Sequence, residues 1–248
     1  MFSLLGLKLI LPTLFCLSVY AKFPTDPKPC SHGDTECVAK LIEFFIHEKS
    51  QGDASINLAG IDPLQIKEIH IKQGAESPVN IELDFKDNQI IGLKDAKVVK
   101  VKGFGKDLTK KHDIHLVVPQ IDLVGNYKVD GKILILPISG KGTNNITLFN
   151  TDLRIQFTGV SMEKDGSTYM NIEKFRLDLD PKGMHFKIDN LFNGDKALGD
   201  NMNLFLNENW QDIFREIKAS ITSAFGQIFQ SVISHVFTKY PYDKYFVE

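Results

Sequence analysis

Between residues 200 and 238 the chain reads DNMNLFLNENWQDIFREIKASITSAFGQIFQSVISHVFT, a run with no proline and with Gly226 as its sole glycine. Leu206, Trp210, Ile213, Ile217, Ile221, Ala224, Ile228, Val232 and Val236 step by three or four positions. Phe214, Phe225, Phe229, Ile233 and Phe237 widen that stripe until much of the circumference is apolar. The spacing predicts one helix over this run, capped by Asp200 or Asn201, stopped at Lys239-Tyr240-Pro241 and on the order of 55 Å long. A helix this apolar must be buried on nearly all sides. A coiled coil would show a narrower stripe flanked by charge, whereas this helix has too much Phe and too little charge.

The cover comes from residues 66–191, where apolar and polar residues alternate with period two. Ile81, Leu83 and Phe85 share one face, as do Ile114, Leu116 and Val118, and Leu153, Ile155 and Phe157. Phe175, Leu177 and Leu179 repeat the pattern and are answered by Met184, Phe186 and Ile188. Such alternation marks antiparallel strands with one wet and one apolar face. Asp180-Pro181-Lys182-Gly183 predicts a hairpin between the last two runs, and Asp130-Gly131 predicts another. Glycines at 125, 140, 142 and 159 permit bulges and curvature. A short amphipathic helix is expected over 36–49, with Val38, Leu41, Ile42, Phe45 and Ile46 on one side. The expected fold class is α+β: one long C-terminal helix wrapped by a strongly curved antiparallel sheet.

Composition narrows the function. The 248 residues carry 29 Lys+Arg against 31 Asp+Glu and are 43% apolar, which excludes a disordered chain. A net charge of −2 offers no attraction to phosphate, so no nucleic-acid partner is expected. Residues 1–21 read as a signal peptide, an apolar run broken by Lys8 and Pro12 and ending in Val19-Tyr20-Ala21. Residues 22–248 are then one secreted, extracellular domain with no stable membrane anchor. Cys16 leaves with the leader, and Cys30 and Cys37 are paired as a disulfide closing a loop of about eight residues, worth roughly 2–3 kcal/mol. Zinc held by that pair and His32 lacks the further cysteines of a tetrahedral site. Asn145-Ile146-Thr147 is a glycosylation acceptor sequence.

No nucleophile elbow, HExxH motif or phosphate-binding loop occurs, so neither an enzyme nor a cofactor is expected. His112 and His115 fall on opposite faces of a strand, cannot chelate together and are read as solvated surface residues. Lys94, Lys97, Lys100 and Lys102, with Lys106, Lys110 and Lys111, are either a solvated strand face or a site for anionic lipid. A sheet curled round one helix is either filled by inward side chains or left with an elongated apolar tunnel. In the second case Ile217, Ile221, Phe225, Ile228, Phe229 and Val232 are the candidate ligand-facing residues; in the first they are core. Tyr127 either offers its hydroxyl to a ligand or packs within the strands, and Trp210 either stacks on a ligand or anchors the helix start. Asn207, Glu208 and Asn209 are read as capping groups.

Longer blocks carry a resemblance. The cysteine pair precedes Ile61-Asp62-Pro63-Leu64, and Val118-Pro119 leads into a block containing Gly125, Tyr127, Gly131, Ile133-Leu134, Leu136-Pro137-Ile138, Gly140 and Gly142. A third block holds Leu191-Phe192-Asn193-Gly194, Leu198-Gly199, Met202-Asn203 and Phe205 through Trp210. Together they resemble the insect takeout and haemolymph juvenile-hormone-binding family over essentially the whole mature chain. The resemblance implies a tubular lipid-binding fold and carriage of a small hydrophobic ligand, a terpenoid such as juvenile hormone or a fatty-acid derivative. Haemolymph carriers characteristically have a second disulfide, and no cysteine follows Cys37 here. The chain is therefore closer to takeout-like, circadian-regulated members, whose roles in feeding and chemosensory tissue are implied at family level. A monomeric carrier is expected, the alternative being a solid-cored protein–protein signalling factor; no sequence feature identifies a receptor.

Overall fold

The computed structural model describes residues 23–74 and 77–248; the expected leader lies outside them. The chain runs through β1 (Cys30–Ser31), α1 (Thr35–Glu48), β2 (Leu64–Lys72), β3 (Val79–Ile91), β4 (Lys97–Lys102), β5 (His112–Ile133), β6 (Leu136–Lys164), β7 (Ser167–Asp180) and β8 (Gly183–Ile188). It closes with α2 (Lys196–Glu208), α3 (Trp210–Phe237), α4 (Tyr242–Tyr245) and β9 (Phe246–Val247). The main sheet is antiparallel in the order β2-β3-β5-β6-β7, with β4 added on β5 and β8 on β6. Drawn straight, the 29 residues of β6 would span roughly 95 Å, while the 28 residues of α3 span about 42 Å. To keep its apolar face on so short a helix the sheet must curl. Register shifts between Lys86 and Gln89 and between Gln156 and Thr158 supply the bends, with Asp87 and Lys174 at positive φ beside them.

α3 bridges the two edges of the curled sheet. Toward β2, Ser220 Oγ donates to Gln73 Oε1 at 2.6 Å; toward β7, Gln230 Nε2 donates to the Ile172 carbonyl at 3.2 Å and Lys218 pairs with Asp178 at 2.8 Å. Ile213, Phe214, Ile217 and Phe225 are buried beneath it. The enclosure is incomplete: Asp212, Arg215, Ala219, Ser223, Gln227, Ser231 and His235 form an exposed stripe at helical spacing. The helix expected to be jacketed all round is instead one wall of a half-barrel. It is also broken. Asn209 turns out of helical geometry (φ −112°, ψ 19°), its Nδ2 donates to the Phe205 carbonyl at 2.8 Å, and the one helix expected over 200–238 becomes α2 and α3. A side chain that satisfies the backbone this way competes with helix continuation. The cap of α2 is Asp195, which accepts from the Leu198 amide at 3.0 Å, rather than Asp200 or Asn201.

One expected hairpin is displaced and the other is absent. Asp130-Gly131 lies inside β5, and the turn falls at Leu134-Ile135 between paired Ile133 and Leu136. Gly131 serves close packing: φ is +143°, and a Cβ there would sit 2.2 Å from the Asn80 carbonyl oxygen of β3. Asp180-Pro181-Lys182-Gly183 links β7 to β8 without reversing the chain, because both strands pair with β6, β7 along 152–164 and β8 along 144–149. Proline lacks the N–H that a ladder requires, so the four residues interrupt one strand line. Gly125 makes room for the fully buried Asn88; a Cβ there would lie 2.4 Å from Asn88 Cγ. Asn88 donates to the Asn126 carbonyl at 2.7 Å and accepts from Asn144 Nδ2 at 3.0 Å, filling the bulge of β3.

Edge strand β8 is finished by side chains. Asn203 and Asn207 on α2 each pair with a residue of β8 as a peptide group would. Ile188 N–H donates to Asn203 Oδ1 at 2.9 Å and Asn203 Nδ2 donates back to the Ile188 carbonyl at 2.8 Å. Phe186 N–H and carbonyl pair in the same way with Asn207 at 2.7 and 2.9 Å. The match is metric: four helical residues rise about 6.0 Å and two strand residues about 6.6 Å. Asn207 is thus a strand partner rather than a cap. At the other end the Cys30–Cys37 disulfide is formed, and Asp34 caps α1 by accepting from the Cys37 amide at 3.0 Å. Replacing Asn203 or Asn207 by Ala strands a donor and an acceptor of β8, and each variant is expected to lose about 1–3 kcal/mol in urea unfolding. A loss within about 0.5 kcal/mol of zero for both would show that water satisfies the edge equally well.

Candidate ligand-binding interior

Of the two packings open at the sequence level, the interior is hollow. A cavity of about 250 Å³ lies between α1, the C-terminal half of α3 and the strands; Leu41, Ile42, Phe45, Leu116, Ile155 and Val236 are among its lining. A second cavity of about 110 Å³ lies under the N-terminal half of α3, lined by Phe85, Leu123, Leu148, Met184, Phe186 and Phe214 among others. No charged side chain among the described residues borders either one. The polar side-chain atom at the larger cavity, the Tyr245 hydroxyl, is committed to the Val236 carbonyl. An apolar guest placed against such a lining gains about 25 cal/mol for each Å² of apolar surface removed from water.

The structure divides the candidate residues. Phe229 and Val232 line the larger cavity, and Ile217, Ile221, Phe225 and Phe229 line the smaller. Ile228 packs on the core but borders neither. Trp210 is half-buried against the core at the start of α3, away from both cavities. Tyr127 is buried and donates its hydroxyl to the Asp189 carbonyl at 2.7 Å; desolvation, with Asp189 nearby, pushes its pKa up to about 12. It ties β5 to the segment after β8. Gly226 and Ala224 do not line the cavities; Gly226 faces Phe175 and Leu177 of β7. The sequence reading missed the wall supplied by α1, by Phe23 and by Pro24, Pro27 and Pro29. The amphipathic stripe of α1 was the signal for the first; nothing in local pattern marked the others. Asn145 is exposed on the outer face of β6, while Thr147 of the same sequon donates its hydroxyl to Asp122 at 2.6 Å. Among the described residues no cluster of His, Cys, Asp or Glu could hold a metal ion, and no helix is long and apolar enough to cross a membrane.

A curled antiparallel sheet closed by one long helix over an uncharged interior defines a binding fold for apolar small molecules. A family model described as haemolymph juvenile hormone binding protein (JHBP) matches residues 9–247, and the chain belongs to that family of hydrophobic-ligand carriers. It is similar to the circadian clock-controlled protein daywake of Drosophila melanogaster, with 30% identity over 90% of this chain and 88% of that one. The daywake protein of Drosophila yakuba is 29% identical over the same shares. Among solved structures, Takeout 1 of Epiphyas postvittana superposes with a TM-score of 0.74 at 25% identity, covering 86% of this chain and 96% of that one.

The wall of the larger cavity rests on a histidine expected at the surface. His112 is fully buried, stacked on Phe157 at 4.9 Å between centroids and packed on Phe104 at 4.8 Å. Its Nδ1 accepts from the Phe104 amide at 2.9 Å, fixing the loop that precedes β5. The strand alternation places His112 with Ile114 on the inner face, so the apolar period should have been extended by one more residue. His115 does face outward, bonded to Asp152 at 2.9 Å. Burial lowers the His112 pKa against a smaller opposing pull from the Leu108 carbonyl. Above the unfolded value of about 6.5 both states are neutral; below it the unfolded chain takes up a proton that the folded chain refuses. Stability contributed by His112 is therefore present above about pH 6.5 and falls as the pH drops toward the lowered folded value. The urea midpoint should fall between about pH 7.5 and about pH 5, and His112→Asn, which keeps an acceptor for the Phe104 amide but does not titrate, should flatten part of that fall. Equal slopes in both proteins would remove His112 as the cause.

Proposed function

We propose that the protein is a secreted carrier that holds a small neutral hydrocarbon-rich molecule in the larger cavity. Terpenoid esters such as juvenile hormone, and fatty alcohols or esters, are the class this reading favours. The observation that carries it is the uncharged lining: an ionised carboxylate placed there would lose its hydration without a partner, at a cost of several kcal/mol. Family membership supports the carrier role, and the apolar lining on α1, α3 and the strands supports a hydrocarbon-rich ligand. Secretion is favoured by the leader-like residues 1–21 and by the Cys30–Cys37 disulfide, and a role in daily rhythm is suggested by the clock-controlled relatives. We take residues 22–248 as one monomeric domain with Asn145 as its outward-facing glycan acceptor.

Solvent extraction of protein purified from its own source should release a neutral lipid in near one-to-one ratio. In binding assays a methyl ester should bind at least about tenfold more tightly than the corresponding free acid at neutral pH. Val232→Trp, which fills the larger cavity, should abolish uptake of both while leaving the fold intact by circular dichroism. Equal binding of acid and ester would overturn the neutral-ligand reading, and undiminished binding by Val232→Trp would overturn the cavity assignment.

A further inference from the structure

We propose that Phe229, with Leu93 and Leu153, is a partition that sets the length of hydrocarbon the interior accepts. The proposal rests on the carrier reading above. These three side chains border both the 250 Å³ and the 110 Å³ cavities, so they stand where one becomes the other. Two of the three are fixed. Leu93 sits on a tight turn whose Gly92 and Lys94 amides donate to the buried Asp62 carboxylate at 3.0 and 2.8 Å. Leu153 lies mid-strand in β6, opposite Leu116 of β5 on one side and Leu179 of β7 on the other, and is 2% exposed.

Phe229 differs. It projects from α3, is only half-buried, and has open space on both sides. Removing this ring would therefore join the two spaces, whereas the leucines are held within the packed turn and strands. A ligand that fits the larger cavity meets the ring as an end wall. A longer chain would reach the lining of the smaller cavity only with the ring out of the way, so the protein selects its ligands by length.

The test is a displacement assay with unbranched primary alcohols from decanol to octadecanol against a fluorescent apolar probe. Each methylene that finds contact should add about fourfold in affinity. In the unmodified protein that gain should stop at the length that fills the larger cavity. Phe229→Ala should move the stop to longer alcohols, raising octadecanol affinity by at least about tenfold over the unmodified protein. Phe229→Leu, the gentler change, should give an intermediate shift if the alanine variant is too unstable to assay. Adding Ile221→Phe, which fills the smaller cavity, should return the stop to its original place. Alcohols that bind with the same stop in all these proteins would overturn the partition and leave the carrier reading standing. Failure of every alcohol to bind the unmodified protein would overturn the carrier reading and the partition with it.

Discussion

The edge strands β2 and β7 face each other across a gap, and burial of the apolar side of α3 in that gap holds the half-barrel closed. The driving term is apolar area: at about 25 cal/mol per Å², a few large side chains such as Phe214, Ile217 and Phe225 outweigh the hydrogen bonds flanking them. Those flanking bonds, from Ser220, Lys218 and Gln230, set the position of the helix along the strands. The hollow interior follows from the same constraint. A helix is about 10 Å across and fills only the middle of a curled sheet, so space persists beside it unless larger side chains invade. The inward faces of the strands offer mostly Leu and Ile, with Phe85, Phe157 and Phe186 among them, and α3 adds Phe214, Phe225, Phe229 and Phe237.

Polar chemistry is arranged to keep that interior uncharged. On the outward face, Arg154 and Gln156 hold Asp113, whose carboxyl is kept below the usual carboxylate range chiefly by Arg154. His115 and Lys182 do the same for Asp152. Among the buried polar residues, Asn88 in the bulge of β3 and Asn144 on β6 direct their amide groups to strand carbonyls and to each other. Charge is therefore sorted by the strand alternation itself, one residue in and the next out. The lysines of β4, Lys97, Lys100 and Lys102, are exposed on that outer side.

Much of this was legible. The step of three and four residues along α3 and the alternation in β3, β5, β6 and β7 are direct readouts of which face is apolar, and they led to the correct fold class. The ligand-facing candidates on α3 divided between cavity and core because a helical period gives a stripe but not its registry against the strands. Ile228 and Phe229 are adjacent, and only packing decides between them. The break at Asn209, the strand role of Asn207 and the burial of His112 were hidden for a related reason. Each polar side chain there finds its partner in the backbone, so residue type alone suggested caps or solvent. Asp130-Gly131 misled because a glycine needed for close approach to β3 looks, in sequence, like a glycine needed for a turn.

The asparagine ladder between α2 and β8 bears on how such a chain fails. While α2 is docked, the backbone of Phe186 and Ile188 is spoken for and the sheet offers no template at that border. If heat or detergent lifts α2, the freed groups belong to an alternating segment, Met184 to Ile188, suited to recruit a strand from another molecule. Self-association can then begin from a local opening, well before the rest of the barrel melts. Two carboxamides on one short helix thus also guard the protein's solubility.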